Sequence, residues 1–203
     1  MQKTENSEPN MKKLSPPFSL FDEWYQSALK LQVPNPSAMV LATVSEEDCP
    51  SARIVLLKEW DENGYVFYTN YQSSKAAEMD ANPMASLLFF WDPLGRQIRI
   101  KGKVERISRE RSESYFHRRP LKSQWGAWAS RQSQMLPGRS VLEERFLNIK
   151  TTYPDQVPLP DFWGGYLLVP HRFEFWQNEP DRLHQRIIYE KQIREWSSHL
   201  LYP

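Results

Sequence analysis

The chain has 203 residues, of which 26 are Lys or Arg and 25 are Asp or Glu. This length is enough for one domain with a sizeable buried core. The formal net charge of +1 excludes a strong overall field that would attract nucleic acid or anionic lipid.

The sequence also argues against membrane insertion, secretion and disulfide bonding. No run approaches the roughly 18 apolar residues that a membrane-spanning helix needs. The polar start, Met1–Asn10, does not resemble a secretory signal. Cys49 is the single cysteine, so no intrachain disulfide can form, and we expect a cytoplasmic protein.

Several common chemistries have no signature in this sequence. The four histidines, His117, His171, His184 and His199, lack the spacing of zinc ligands, so we expect no metal site. Glycine-rich dinucleotide and nucleotide loops are absent, as is a nucleophile elbow. The aromatic residues, 8 Trp, 9 Tyr and 10 Phe, either fill a core or line a slot for a flat ligand.

The first predicted elements are a helix and a strand. Residues 1–17 are polar with paired prolines, and we expect this segment to be mobile. A capping-box pattern at Ser19–Asp22 predicts a helix start, and an apolar stripe at helical spacing follows it. Ala38–Ser45 then has the composition of a strand.

The stretch from Ser51 to Asp80 is predicted to form a hairpin followed by a short helix. Two strand-like runs, Ser51–Trp60 and Tyr65–Tyr71, flank an Asn63-Gly64 pair, which is typical of a tight hairpin turn. Ser73 or Ser74 can cap the short helix that follows, and Pro83 ends it.

This capped helix has two possible interpretations. A helix start presents free backbone N–H groups and positive dipole potential, and Arg53 and Lys75 add charge, which together suit a phosphate. The alternative is an ordinary hairpin and capped helix, because such caps are common. The stretch alone leaves both open.

Two longer strands follow. Met84–Trp91 is almost wholly apolar, which predicts a strand buried on both faces. After a Pro-Gly turn, Arg96–Ile107 alternates apolar and polar residues, and Gly102 in its middle predicts a bend or bulge.

A helix predicted between Ser108 and Pro120 carries a second candidate anion site. Tyr115 and Arg119 lie four residues apart and hence on one helix face, and Ser123 follows soon after. These side chains suit a phosphate, with Arg119 giving charge-assisted bonds. The alternative is a solvated, Arg-rich helix with one packed tyrosine.

The C-terminal third is predicted to complete a barrel. Ser140–Glu143 is another capping box, for a helix that ends near Lys150. The glycines after Trp163 predict a break before strands near Tyr166–Val169 and Arg172–Gln177. In an extended run the side chains of Arg182, His184 and Arg186 would share one face, where they repel unless an anion or polar ligand lies against them. With no internal repeat and no second core, we predict one domain, residues 18–203, with a mainly β, antiparallel barrel and peripheral helices.

Taken together, these segments of the sequence resemble the pyridoxamine 5′-phosphate oxidase family. Eight runs appear in order and at family-like spacing, and they extend over nearly all of the chain after the first helix. They are ARIVLLK (Ala52–Lys58), FYTN (Phe67–Asn70), RQIRIKGKVER (Arg96–Arg106), YFHRRP (Tyr115–Pro120), SQWGAWASRQS (Ser123–Ser133), FWGGY (Phe162–Tyr166), FEFWQ (Phe173–Gln177) and RLH (Arg182–His184).

The resemblance implies an antiparallel, FMN-binding split β-barrel with its FMN sites at the interface of a homodimer. It implies oxidation of pyridoxamine or pyridoxine 5′-phosphate to pyridoxal 5′-phosphate, by hydride transfer from the substrate C4′ to flavin N5. Dioxygen would then reoxidise the flavin and yield hydrogen peroxide. Two alternatives stay open: a related flavoenzyme acting on another reduced heterocycle, and a non-enzymatic binder of FMN or pyridoxal phosphate.

The resemblance also assigns site residues by position. The implied FMN contacts are Arg53, Ile54, Val55, Leu56, Leu57, Lys58, Tyr68, Thr69, Ser74, Lys75, Gln97, Gln132, Ser133, Trp176 and Arg186. The implied substrate contacts are Lys58, Tyr115, Arg119, Ser123, Arg182 and His184, of which Arg182 and His184 would act at the substrate ring as catalytic residues.

Four departures from the family pattern bear on FMN affinity and turnover. Ser74 stands where the family usually has Arg, Gln185 where it usually has Asp, and Asn35 where an acid commonly precedes the proline. The basic, tyrosine-containing N-terminal segment is not recognisable. In addition, Arg53 and Lys58 are an odd number of residues apart, so on a regular strand they would point to opposite faces.

Overall fold

The computed structural model describes residues 14–203. Five α-helices lie in this part of the chain: α1 Pro16–Lys30, α2 Ser74–Ala81, α3 Arg109–Arg118, α4 Leu121–Ala129 and α5 Arg139–Thr152. The strands are β1 Ala38–Val44, β2 Pro50–Leu56, β3 Glu59–Asp61, β4 Gly64–Asn70, β5 Met84–Trp91, β6 Arg96–Arg106, β7 Trp163–Gln177, β8 Gln185–Lys191 and β9 Trp196–Leu200.

All nine strands belong to one antiparallel sheet that curls into a half-barrel. The order is β2-β1-β5-β6-β7-β4-β3, and β7 also pairs with β8, which pairs with β9. The two ends of the sheet approach each other where the chain passes from β2 to β3, because the Lys58 N–H donates to the Val66 carbonyl at 2.9 Å. The predicted mainly β, antiparallel split barrel with peripheral helices is confirmed.

Helix α1 closes one side of the barrel with the predicted apolar stripe. Phe18, Phe21, Trp24 and Ala28 are buried against the aromatic core of the sheet. The helix begins at Pro16, where proline suits the first turn, so the predicted capping box at Ser19–Asp22 is wrong. Of the segment predicted to be mobile, residues 1–13 lie outside the described residues, and Pro16 and Pro17 are helical.

The predicted long hairpin is wrong, although its turn is present. β3 and β4 pair for only three positions around the turn. β2 instead pairs along its whole length with β1, from Ala38 opposite Leu56 to Val44 opposite Pro50. The longer β1–β2 ladder satisfies more backbone groups than an extended β3–β4 hairpin would.

Strand β5 has the predicted bounds but not the predicted burial. Leu87 and Phe89 are fully buried, whereas Met84 and Phe90 are exposed. Ile54 and Leu56 on β2 are exposed as well. The described chain therefore presents an apolar sheet surface, defined by Ile54, Leu56, Met84 and Phe90.

The long β6–β7 pair contains the predicted bulge. Lys101 pairs with Arg172 and Gly102 with Pro170, so His171 is the extra residue. β7 is one strand of 15 residues, and the predicted break at Gly164 and Gly165 is wrong. Gly164 instead allows close packing within β7, because a Cβ at this position would lie 2.1 Å from the Tyr71 hydroxyl oxygen, too close for a carbon atom.

The helices after β6 form a second, smaller core, contrary to the prediction of a single one. Phe116, Trp125 and Trp163 are buried there with Val157 and Leu159. Helix α4 was not predicted. Helix α5 was, but its N-cap is Gly138, so the predicted cap at Ser140–Glu143 is wrong.

Residues 14–203 lack two further features. No helix among these residues has the length and apolarity to cross a membrane. Nor do three or more His, Cys, Asp or Glu side chains of this region come together as metal ligands would.

The bulge glycine gives the first prediction, for stability. A Cβ on Gly102 would lie 2.3 Å from the backbone oxygen of Val169, so we expect Gly102→Ala to lower the free energy of unfolding by about 1–3 kcal/mol. Gly126 is the matched control, because nothing lies within 4 Å of its Cβ position in helix α4. Gly126→Ala should raise the free energy of unfolding by about 0.5–1 kcal/mol. Urea unfolding of both variants measures the difference, and equal effects would contradict the role of close approach at the bulge.

Candidate functional site

A cleft of about 920 Å³ lies where the edge strand β2 faces β4, the start of α2 and helices α3 and α4. This is within the usual size range of small-molecule sites. Four cationic side chains line it: Arg53, Lys58, Lys75 and Arg119. The cleft is therefore suited to an anionic ligand.

Arg53 is held at one end of the cleft by a carboxylate. Its Nη2 donates to Glu78 Oε2 at 2.9 Å, and its Nη1 donates to the Thr43 hydroxyl. Thr43 and Ser51 also donate to Glu78. Burial alone would raise the pKa of Glu78, but these hydrogen bonds and the Arg53 charge outweigh burial and lower the pKa. Glu78 is thus ionised at neutral pH and fixes the guanidinium of Arg53.

Lys75 lies beside Arg53 at the start of α2. Its Nζ donates to Gln132 Oε1 at 3.1 Å, and so does the Thr69 hydroxyl. Burial, and next the Arg53 charge, lower the pKa of Lys75, while Glu78 acts in the opposite direction. An anion bound here would reduce the mutual repulsion of the two cations.

The helix start beside Lys75 matches the predicted anion socket in part. Ser73 is the N-cap residue, but its hydroxyl donates to the Asn70 carbonyl and does not cap the helix. The N–H groups of Ala76 and Ala77 donate to the Ser73 carbonyl. In the described part of the chain, the N–H groups of Ser74 and Lys75 have no backbone acceptor.

Arg119 lies at the other end of the cleft, where no carboxylate of residues 14–203 pairs with it. Its Nη2 donates to the Ser123 carbonyl at 3.0 Å, and the guanidinium carbon is 4.7 Å from the centroid of the Trp163 ring. Burial lowers the pKa of Arg119, and Tyr115 partly opposes this. Nη1 is buried and has no hydrogen-bond partner in residues 14–203. Because buried donors are almost always paired, this atom needs an acceptor that a water molecule or a ligand would supply.

Three stacked aromatic rings form the wall next to Arg119. The centroid of the Tyr68 ring is 4.0 Å from that of Tyr115 and 5.3 Å from that of Trp163, and the Tyr115 and Trp163 centroids are 6.3 Å apart. The Tyr68 hydroxyl donates to Glu59 at 3.2 Å, and burial together with the Glu59 charge raises the pKa of Tyr68. Glu59 also accepts from Arg111 at 2.9 Å. The wall is therefore rigid and neutral.

Most of the predicted site residues come together in this cleft. Arg53 and Lys58 both line it despite their odd separation, because β2 ends at Leu56 and Lys58 lies beyond the strand. The predicted residues that line the cleft are Arg53, Ile54, Val55, Leu56, Lys58, Tyr68, Thr69, Ser74, Lys75, Tyr115, Arg119, Ser123, Gln132 and Ser133.

The remaining predicted residues do not line the cleft. Leu57 is buried in the core. His184 and Arg186 line a separate hollow of about 390 Å³ at the start of β8. Gln97, Trp176 and Arg186 are adjacent across β6, β7 and β8. Within one chain the predicted site is therefore divided between two places.

The prediction that Arg182, His184 and Arg186 share one strand face is wrong. Arg182 lies in a short 3-10 turn, Pro180–Arg182, with a φ of 61°, and β8 begins only at Gln185. The anion that offsets Arg186 is the chain's own Glu174, at 2.8 Å. Glu174 is 2% exposed and also pairs with Arg99.

Two family models match this chain. One, described as pyridoxamine 5′-phosphate oxidase, covers residues 26–153, and the other, described as the pyridoxine 5′-phosphate oxidase C-terminal dimerisation region, covers residues 163–203. The chain belongs to the pyridoxamine 5′-phosphate oxidase family. Membership of this family indicates that the chain is an FMN-dependent oxidoreductase.

Relatives named pyridoxine/pyridoxamine 5′-phosphate oxidase share about half of their aligned residues with this chain. The Bordetella pertussis protein is 52% identical over 188 residues, which are 92% of this chain and 89% of the relative. The Paraburkholderia phytofirmans protein is 50% identical over 189 residues, with the same coverage of 92% and 89%.

Solved structures agree on the fold. PhzG from Burkholderia lata, in complex with tetrahydrophenazine-1-carboxylic acid, has a TM-score of 0.89 at 30% identity and covers 93% of each chain. A pyridoxamine 5′-phosphate oxidase-related, FMN binding protein from Nostoc punctiforme has a TM-score of 0.77 at 18% identity, covering 95% of this chain and 100% of its own.

Sequence reasoning missed the carboxylates that position the cations of this oxidase-family chain. Glu78, Glu59 and Glu174 each hold at least one arginine at or near the predicted site. A signal was present for Glu174, which is a lone charge within the aromatic run Phe173–Trp176. Glu59 and Glu78 lie on surface-like segments, and only the tertiary structure shows their partners.

The second prediction concerns Glu78 and pH. Glu78→Gln removes the charged partner of Arg53, so we expect the free energy of unfolding at pH 7 to fall by about 1.5–3 kcal/mol. The folded-state pKa of Glu78 is lowered, so its contribution is present above the unfolded pKa of about 4.3 and is lost as pH falls through the folded value. The difference between native and variant protein should therefore shrink between pH 7 and pH 3 in urea titrations.

Glu143→Gln is the matched control for this experiment. Glu143 forms an exposed pair with Arg139 on helix α5, and its loss should change the free energy of unfolding by less than about 0.5 kcal/mol at either pH. A Glu78→Gln effect as small as this, or one independent of pH, would show that the network does not stabilise the fold.

Proposed function

We propose that this protein is an FMN-dependent oxidase that converts pyridoxamine 5′-phosphate or pyridoxine 5′-phosphate to pyridoxal 5′-phosphate. The observation that carries the proposal is the buried Nη1 of Arg119 in the family-type cleft, which has no hydrogen-bond partner among residues 14–203. The names of the half-identical relatives support the same activity.

The Arg119 end of the cleft is the proposed site of the substrate phosphate. Arg119 can give its free N–H groups to phosphate oxygens, and Lys58, Tyr115 and Ser123 lie in the same lining. The Trp163 ring and the Ser123 carbonyl already fix the guanidinium, so little side-chain freedom is lost on binding. Binding energy from this remote phosphate can orient the carbon that reacts.

The Arg53 end is the proposed site of FMN. Lys75 and the Ser74 and Lys75 N–H groups suit its phosphate, and Arg53 adds charge beside them. The exposed edge of β2 at Ile54–Leu56 offers backbone groups to a flat ring, because in the described part of the chain β2 pairs with no strand other than β1. When bound, the flavin would accept a hydride from the substrate C4′, and dioxygen would reoxidise it to give hydrogen peroxide.

We further propose that a second copy of the chain completes the site in a homodimer. Arg182, His184 and Arg186 lie outside the cleft of their own chain, and the family model that contains them is described as a dimerisation region. The apolar sheet surface beside the cleft, with Ile54 and Phe90 exposed, suits burial against another chain.

A second candidate function is oxidation of a reduced heterocycle that carries a carboxylate. The observation in its favour is the TM-score of 0.89 to PhzG, whose structure contains tetrahydrophenazine-1-carboxylic acid. Peroxide release with pyridoxamine 5′-phosphate, compared with release with that acid, separates the two enzymes. Tight FMN binding with no turnover of either compound would instead favour a non-enzymatic flavin binder.

The third prediction tests the substrate phosphate site. Arg119→Ala removes charge-assisted hydrogen bonds worth about 1.5–3 kcal/mol, so kcat/KM for pyridoxamine 5′-phosphate should fall about ten- to a hundredfold, mainly through KM. Arg118→Ala is the matched control, because Arg118 is the neighbouring arginine, is 66% exposed and pairs with Glu59 outside the cleft lining. Steady-state peroxide assays give both values. If the two variants had equal kcat/KM and KM values, Arg119 would not be a substrate-binding residue.

The fourth prediction concerns Ser74, where the family usually has Arg. Arg106 and Arg131 are the two other cations that could supply the positive charge that Ser74 lacks. Arg106, however, pairs with Asp80 at 2.7 Å, and neither arginine lines the cleft. Ser74→Arg should therefore tighten FMN binding by roughly several-fold to tenfold, and less at high salt.

Gln72→Arg is the matched control for Ser74→Arg, since Gln72 is exposed nearby but is not in the cleft lining. Fluorescence titration of the apoprotein with FMN at low and high salt measures both variants. An unchanged dissociation constant in Ser74→Arg would show that the charge at this position is dispensable.

A further inference from the structure

The carboxylate of Glu59 connects the edge of the sheet to helix α3. Glu59 lies on β3 opposite Val66 of β4, and Tyr68 is two residues further along the same face of β4. Oε1 of Glu59 accepts from the Tyr68 hydroxyl at 3.2 Å. Oε2 accepts from both Nε and Nη2 of Arg111, at 3.2 and 2.9 Å, in the first turn of α3. Arg118 is a weaker partner, at 3.4 Å and 66% exposed.

The helix face that carries Arg111 also contacts Tyr68 directly. Arg111 and Tyr115 are four residues apart, so their side chains lie on one face of α3. The Tyr115 ring stacks on the Tyr68 ring, with centroids 4.0 Å apart and planes 14° apart. Glu59 therefore bonds to Tyr68 itself and, through Arg111, to the helix turn that precedes Tyr115. Together these contacts fix the rotation of α3 relative to β4.

The side chains placed in this way belong to the proposed phosphate site. Tyr115 and Arg119 lie one turn apart at the end of α3 and line the cleft, and so does Lys58, which directly precedes Glu59. Among residues 14–203, the cleft lining includes neither Glu59 nor Arg111. Glu59 would thus act on a ligand only through the side chains that it positions.

The opposite face of α3 is anchored without this carboxylate. Phe116 is fully buried in the second core, and the Ser112 hydroxyl accepts from the Gly165 N–H at 3.2 Å. Arg109 donates to the Pro160 carbonyl at 2.9 Å. Loss of the carboxylate should therefore leave the helix folded and change only the placement of its cleft-facing side chains.

We infer that Glu59 is a positioning residue of the substrate phosphate site, which holds the Tyr115 face of α3 so that Tyr115 and Arg119 are in place before the substrate binds. The inference rests on the proposed oxidase function, because it takes the ligand at Arg119 to be a phosphate. Charge alone predicts the opposite effect of neutralising Glu59, since this end of the cleft would become more positive and attract a phosphate more strongly. The direction of the change in affinity therefore separates positioning from simple electrostatics.

The test is equilibrium binding of two unreactive probes to the purified full-length protein. 4-Deoxypyridoxine 5′-phosphate keeps the pyridine ring and the phosphate but has no nitrogen or oxygen at C4′ to be oxidised, and 4-deoxypyridoxine lacks the phosphate as well. In fluorescence titrations, Glu59→Gln should weaken binding of the phosphorylated probe about three- to tenfold, since the ion pair with Arg111 is partly exposed to water. Binding of the unphosphorylated probe should not change, whereas general damage to the fold would weaken both.

Asp161→Asn is the matched control. Asp161 is an exposed carboxylate that pairs with Arg109 of the same helix at 3.1 Å, so this variant should bind both probes as native protein does. Tighter or unchanged binding of the phosphorylated probe by Glu59→Gln, or a loss no larger than that of Asp161→Asn, would overturn the inference.

A double variant tests whether the effect passes through Arg111. Arg111→Met removes the guanidinium that donates two of the bonds to Glu59. Because the two substitutions break the same contact, the loss in Glu59→Gln/Arg111→Met should be much smaller than the product of the two single losses. Losses that multiply would show that Glu59 acts independently of α3 and would contradict its positioning role. Equal affinity of native protein for the two probes would show that the proposed phosphate site is itself wrong, and the inference would fail with it.

Discussion

The site of this protein depends on how partly buried arginines are held before any ligand binds. A guanidinium removed from water is costly unless it is paired or hydrogen-bonded. Arg53 is held by Glu78, and Arg186 and Arg99 by Glu174. Arg119 pairs with no carboxylate of the described residues and is held by the Trp163 face and one carbonyl. This difference makes Arg119 the cation with the most to gain from an anionic ligand.

The same principle separates the two ends of the cleft. At the Arg53 end the charge is already balanced in part, so Lys75 and the start of α2 bring most of the uncompensated positive potential. At the Arg119 end, burial and the Glu59 charge raise the pKa of Tyr68, so this aromatic wall stays neutral beside the Arg119 charge. Two anionic groups of one flavin–substrate pair would thus find two distinct electrostatic environments, which is the requirement of the proposed reaction.

Sequence patterns predicted some of the local features, because these depend on short-range chemistry. The strand at Met84–Trp91, the bulge at Gly102 and the Ser108-capped helix all follow from periodicity or from one residue's conformational preference. The β2 pairing could not be predicted in this way, since the Asn63-Gly64 turn is present but competes with a longer ladder to β1. The close approach of Tyr71 to Gly164 could not be predicted either, because these residues are distant in sequence. The pattern of two adjacent glycines indicated an interruption before the next strand.

The candidate site was predictable mainly through the family resemblance, and the structure adds how its parts are held. Spacing alone left the cluster of Tyr115, Arg119 and Ser123 ambiguous, and the buried, unpaired Nη1 of Arg119 now favours a ligand. Spacing also placed Arg182 on a strand, whereas two residues with positive φ put it in a turn. Conformations of that kind persist only when the surrounding structure requires them. Here the turn brings the Glu179 N–H to His184 Nδ1, so an unfavourable backbone conformation is linked directly to the position of a predicted site residue.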